Sequence, residues 1–106
     1  MDLYAGSLYE AKTLADEQGR PFRAPHHTVG ACALVGEVAL AAGGILYLEE
    51  VERFDAQALR VALGVVRSME CMKHDHTPLV IVEPSGVLGA IICAGFGLRN
   101  LDTLRR

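Results

Sequence analysis

Residues 45–54 read ILYLEEVERF and follow directly on Gly43-Gly44. The run Ile45-Leu46-Tyr47-Leu48 is too short for a helix, wholly apolar and bounded by glycine. It reads as a strand buried on both faces, the condition of strands in parallel sheets. Two carboxylates, Glu49 and Glu50, close it. Asp55 is then a good helix N-cap, and Ala58, Leu59, Ala62, Leu63 and Val66 share one helical face, which predicts a helix over 55–67. Leu79-Val80-Ile81-Val82 repeats the buried-strand pattern and again ends in an acid, Glu83. Strand, helix and strand make a βαβ unit, with the helix crossing between strands at 45–49 and 79–83. The fold class is therefore α/β, a small parallel-leaning sheet flanked by helices.

Outward from this unit the signals are more local. Residues 3–17 place Leu3, Leu8, Ala11, Leu14 and Ala15 near one face and predict an amphipathic helix, ended by Gly19 and Pro21. RPFRAPHHT, residues 20–28, holds two prolines and is expected as an ordered loop or extended segment. Residues 30–36 suit a short helix or turn, and the polar stretch 70–77 a loop. Pro84-Ser85-Gly86 makes a turn before a third apolar run, 87–94, which could continue the sheet in parallel or fold back as a hairpin.

A chain of 106 residues bounds the answer to one domain, here expected to span 1–106. A net charge of -3 with no basic block argues against nucleic acid as a partner of this chain alone. The cluster Arg99, Arg105 and Arg106 reads as a solvated tail. The longest apolar stretch falls well short of the roughly 20 residues of a membrane helix. Three cysteines, Cys32, Cys71 and Cys93, in apolar surroundings and without C-x-x-C spacing, read as reduced core thiols of a cytoplasmic protein.

Chemistry concentrates where strands end. Ligands of parallel α/β sheets gather at the carboxyl ends of strands, and Glu49-Glu50 has the outline of a Walker B strand end. One acid there can hold a magnesium–water shell and its neighbour can orient an attacking water. The alternative is that these acids only solvate the sheet rim. His26 and His27 are adjacent, so in an extended segment their rings point to opposite sides and suit a structural role. His74 and His76, two residues apart with Cys71 nearby, form an alternative zinc or copper site.

The segment from Arg20 to Pro84 resembles the magnesium-chelatase and ComM branch of the AAA+ ATPases. The carriers are RPFRAPHHT, then Ala33-Leu34-Val35-Gly36, then Gly44-Ile45-Leu46-Tyr47-Leu48-Glu49-Glu50, with Phe54 and a helix following. The resemblance implies a partial AAA+ (P-loop NTPase-like) core, an ATP and Mg site, and ring assembly. It puts Glu49 at the Mg-associated acid, Glu50 at the catalytic acid, and Glu83 at a strand-terminal Asn that senses the γ-phosphate.

Four departures oppose that activity. No G-x-x-x-x-G-K-[ST] occurs in the chain. Glu49 replaces an Asp and carries its carboxylate about 1 Å further out, where magnesium tolerates little change in geometry. Glu83 replaces a neutral amide, and its charge repels phosphate by about 1 kcal/mol at 4 Å even in water. The connection before the Walker B strand is shortened, with Ala42 in place of the family's His. Three readings follow. The chain is a truncated, degenerate AAA+ module that is not an independent ATPase and acts through protein association, as a homo-oligomer or docked on a full-length AAA+ protein. Alternatively it is a residual ATP/Mg-binding ATPase domain completed by another chain, or a small metal-binding protein using His74 and His76.

Overall fold

The computed structural model describes residues 3–72, 76–83, 86–87 and 91, and the backbone of 99–100. Five strands, β1 (Leu3–Ala5), β2 (Phe22–Arg23), β3 (Ile45–Glu49), β4 (Leu79–Glu83) and β5 (Arg99–Asn100), form one sheet in the order β2-β3-β4-β1-β5. Every pairing is parallel, and β3 and β4 are in register from Ile45↔Leu79 to Glu49↔Glu83. Among the described residues, three α-helices follow β1, β2 and β3: α1 (Leu8–Gln18), α2 (Ala31–Leu40) and α3 (Ala56–Cys71).

Strand alternation sorts the core into two layers. Leu46, Leu48, Val80, Val82 and Leu3 face α2 and α3, packing on Leu34, Val38, Ala58, Ala62 and Val66. Ile45, Tyr47, Ile81 and Tyr4 face α1, packing on Ala11, Leu14 and Ala15. Ile45, Leu46, Tyr47 and Leu48 are all buried, as the reading of a strand enclosed on both faces requires. The helix leaving β1 lies on one face and the helix leaving β3 on the other. In parallel sheets with helices on both faces, ligands gather at the carboxyl ends of the strands.

Several local expectations change. The helix predicted over 3–17 begins only at Leu8, because Leu3–Ala5 is drawn into the sheet between β4 and β5. Ser7 then caps α1 with a full capping box: its hydroxyl oxygen accepts from the Glu10 N–H at 3.1 Å, and Glu10 accepts from the Ser7 N–H. The helix expected over 30–36 runs to Leu40, and α3 extends to Cys71, into the stretch read as a loop. Asp55 caps α3 as predicted, accepting from the Ala58 N–H at 2.9 Å. Of the third apolar run, Val87 and Ile91 are helical rather than strand, and the rest lies outside the described residues.

The proline-rich segment is an edge strand. Phe22 and Arg23 pair with Ile45 and Leu46, and Pro21 and Pro25 bracket the pair, so its outer edge offers little for further strand addition. Gly44 sets how closely this edge approaches: a Cβ there would lie 2.0 Å from the Pro21 carbonyl oxygen, which accepts from the Ile45 N–H at 2.9 Å. Arg23 reaches α2 through a bidentate pair with Glu37, 2.6 and 2.8 Å, tying the edge strand to the helix layer.

Candidate functional site

The carboxyl edge of β3 and β4 brings together two of the three predicted acids. Glu49 and Glu83 end neighbouring strands as register partners, and alternation puts both on the α1 face with Tyr47. Between them in chemistry stands the Tyr47 hydroxyl, which donates a short hydrogen bond to Glu83. Tyr47 is buried and its ring stacks on Phe22 with centroids 6.2 Å apart. Burial, the bond to Glu83 and the charges of Glu83 and Glu49 together push the phenol well above its ordinary value of 10.0, opposed by the Leu8 backbone at the start of α1. The hydroxyl is thus a held donor between the sheet edge and the first turn of α1.

Glu50 departs from the other two. It adopts a left-handed conformation, φ 53° and ψ 52°, uncommon for a residue with a side chain. Its N–H donates to the Glu83 carbonyl at 3.0 Å, and its carboxylate turns toward His27 Nε2 at 3.9 Å and Arg53 Nε at 3.8 Å. The three carboxylates therefore do not converge on one point. Strain in a non-glycine residue at a strand end is the kind of feature that clusters at functional positions.

His26 and His27 line a small cleft with Ala24, Pro25, Tyr47, Glu49 and Glu50. Their rings lie side by side, centroids 4.2 Å apart, contrary to the expectation that they would point to opposite sides. The chain turns at His27-Thr28 instead of continuing extended, and His26 Nδ1 meets the Thr28 hydroxyl at 2.9 Å. The alternative metal site fares differently. His74 lies outside the described residues, and the His76 carbonyl accepts from the Gly43 N–H at 2.8 Å. Among the described residues no group of three or more His, Cys, Asp or Glu could hold a metal ion. Cys32 and Cys71 are exposed, so they are not the core thiols expected of them; Cys93 lies outside the described residues.

The decisive geometry lies at the junction of β1 and α1. A phosphate loop is a strand–loop–helix unit whose backbone N–H groups and lysine surround the anion. Here Gly6 and Ser7 alone join the strand to the helix, and the Gly6 N–H donates to the Val82 carbonyl of β4 at 3.2 Å. Lys12 is on the exposed side of α1. Sequence reasoning missed this junction and Tyr47. The junction was legible: Ser7-Leu8-Tyr9-Glu10 is an S-x-x-E capping box that fixes the helix start. Tyr47 carried no sequence signal beyond one hydroxyl in an apolar strand.

Comparison with known proteins gives one family-model match, magnesium chelatase, subunit ChlI, over residues 5–72. An uncharacterized protein YifB of Salmonella typhimurium is 40% identical over 62 residues, covering 50% of this chain and 12% of the relative. The competence protein ComM of Haemophilus influenzae is 44% identical over 48 residues, covering 38% of this chain and 9% of the relative. The match thus spans about an eighth or less of these curated relatives. Among solved structures, a point mutant of Thermotoga maritima RuvB superposes with a TM-score of 0.57 at 19% identity, over 95% of this chain and 37% of that one. The last likeness is one of fold, and it agrees with the AAA+-type α/β core expected from the sequence. No helix among the described residues is long and apolar enough to cross a membrane.

Proposed function

The chain belongs to the magnesium chelatase subunit ChlI family, and from that premise we propose that it is a degenerate AAA+ module that does not hydrolyse ATP alone and acts through protein–protein association. The observation that carries this reading is the two-residue β1–α1 junction. A nucleotide triphosphate needs several backbone N–H groups and a cation around its β- and γ-phosphates. At this junction the N–H groups of Ser7, Glu10 and Ala11 already have partners within the chain, and Lys12 faces away.

The residues that would hold ATP and Mg therefore do not fit them. Glu49 and Glu83 are like charges in register at neighbouring strand ends, which repel a phosphate brought to that edge. What the family's sheet retains is a rigid α/β body with an ordered RPFRAPHH edge, suited to docking on another subunit. The partner is a second copy or a longer AAA+ protein of the same family. An odd number of cysteines supports a reducing compartment, the cytoplasm.

Isothermal titration with ATP–Mg tests the first half of the proposal, and no heat above dilution is expected up to millimolar nucleotide. Binding at low micromolar concentration would overturn it. Light scattering of the protein alone, and mixed with a ComM-type full-length relative, tests the second half. A strictly monomeric protein that also leaves the relative's elution unchanged would refute association.

A further inference from the structure

The helices on the two sides of the sheet turn opposite charges to the outside. The exposed side of α3 carries Arg60 and Arg67, and from residue 56 to 69 the helix holds no acid. Val61, 42% exposed, and Gly64 lie between the two arginines, so the strip is low and partly apolar. The exposed side of α1 carries Tyr9, 79% exposed, with Glu10, Asp16 and Glu17 against a single base, Lys12. Asp16 and Glu17 stand in the last turn, which has no basic residue, at the helix end whose dipole disfavours anions. Among the described residues neither these two acids nor Arg60 and Arg67 form an ion pair within the chain.

We infer that the outward face of α1 docks on the outward face of α3 in a second copy of this chain, head to tail. The spacing fits. Glu10 and Glu17, like Arg60 and Arg67, are seven positions apart, about 10.5 Å along a helix and nearly on one line. Two such helices laid alongside bring each acid of the pair to an arginine, with Asp16 adding to the same field and Tyr9 and Val61 supplying apolar contact. Pairing α3 with α3 would set arginine against arginine, and α1 with α1 acid against acid, so charge selects the unlike faces. Those faces lie on opposite sides of the sheet, and one chain cannot satisfy itself. The contact therefore repeats from copy to copy, as a ring or an open chain. The inference rests on the reading that the chain acts by association, and it names the surface and the partner.

The test is light scattering and sedimentation of the full chain and two charge-reversed variants, Asp16→Lys/Glu17→Lys and Arg60→Glu/Arg67→Glu. Wild type is expected to gain mass with concentration, and to associate at least tenfold more weakly as salt rises from about 0.05 M to about 1 M and screening shortens the reach of the charges. Each variant alone is expected to stay monomeric where wild type associates. Their equimolar mixture is expected to associate again, because each supplies the face the other has lost. The altered residues are exposed, so both variants should keep the native circular dichroism spectrum. Arg60→Gln/Arg67→Gln replaces the second variant in the self-association arm if it does not. Variants that associate as wild type does, or a mixture that stays monomeric, overturn this interface and leave the proposed function standing. A monomeric wild type that still binds a ComM-type relative overturns only the self-docking, and one that does neither overturns both.

Discussion

Replacing Gly44 with alanine should destabilise the protein far more than the same change elsewhere, and the size can be worked from the contact it creates. The new Cβ would lie 2.0 Å from the Pro21 carbonyl oxygen, whereas real Cβ contacts essentially never fall below 3.0 Å. Pro21 must therefore retreat by about 1 Å or more, and that stretches its 2.9 Å bond to the Ile45 N–H out of hydrogen-bonding range. Ile45 is buried, so its unsatisfied N–H costs about 1–3 kcal/mol. Phe22 moves with Pro21 and loosens its stack on Tyr47, adding about 0.5–1.5 kcal/mol. A loss of about 2–4 kcal/mol corresponds to a Tm drop of roughly 10–25 °C for a domain of this size.

The controls are internal to the chain. Gly36 and Gly64 are exposed glycines within α2 and α3, and a Cβ at either meets nothing within 4 Å. Alanine at each should stabilise by about 0.5–1 kcal/mol, because it removes glycine's backbone entropy from a helix. Chemical and thermal unfolding followed by circular dichroism reads all three. A Gly44→Ala protein within about 0.5 kcal/mol of wild type would refute the argument that the edge strand is held by this close approach.

Ser7→Ala removes the acceptor of the Glu10 N–H and should cost about 1 kcal/mol, read as a lower urea midpoint with an unchanged m-value. Glu37 is held below its ordinary carboxyl value of 4.5 chiefly by its hydrogen bonds from Arg23 and also by the charge of Arg23, against the opposing effect of burial. Its stabilisation is present above pH 4.5 and lost as pH falls through the depressed folded value, so Glu37→Gln should flatten the acid limb of stability against pH. An unchanged acid limb would count against the Arg23–Glu37 tie. Tyr47 has the opposite sign: its raised phenol contributes stability below pH 10.0 that is lost as pH rises above it, and Tyr47→Phe should remove that alkaline loss. Equal alkaline slopes in wild type and variant would show that the phenol is not held as described.

Much of this fold could be read from patterns short enough to be local. The two Gly- or Pro-bounded apolar runs that became β3 and β4, the Asp55 cap and the apolar face of α3 all depend on residues within one or two turns of each other. So did the resemblance to the chelatase family, carried by a contiguous motif and by the order of its parts. The expectations that failed were those in which a distant partner decided the outcome. Leu3–Ala5 has helical periodicity with the residues after it, yet β4 pairs with all three residues and β5 with Tyr4 and Ala5, and pairing outweighs propensity. Cys32 and Cys71 sit in apolar sequence but on the outward faces of their helices, and only the packing of α2 and α3 on the sheet decides which face is outward.

The site divides the same way. Sequence by itself determined the kinship, the acids at the ends of β3 and β4, and the lack of a phosphate-loop motif, because each is a statement about neighbouring residues. Only the tertiary structure decided that Glu49 and Glu83 stand in register, that Glu50 turns away to His27 and Arg53, and that Tyr47 is bonded to Glu83. Tyr47 and Glu83 are 36 positions apart in the chain. Their meeting depends on parallel pairing and alternation, which place side chains from separate strands on one face of the sheet, and no local pattern encodes that distance.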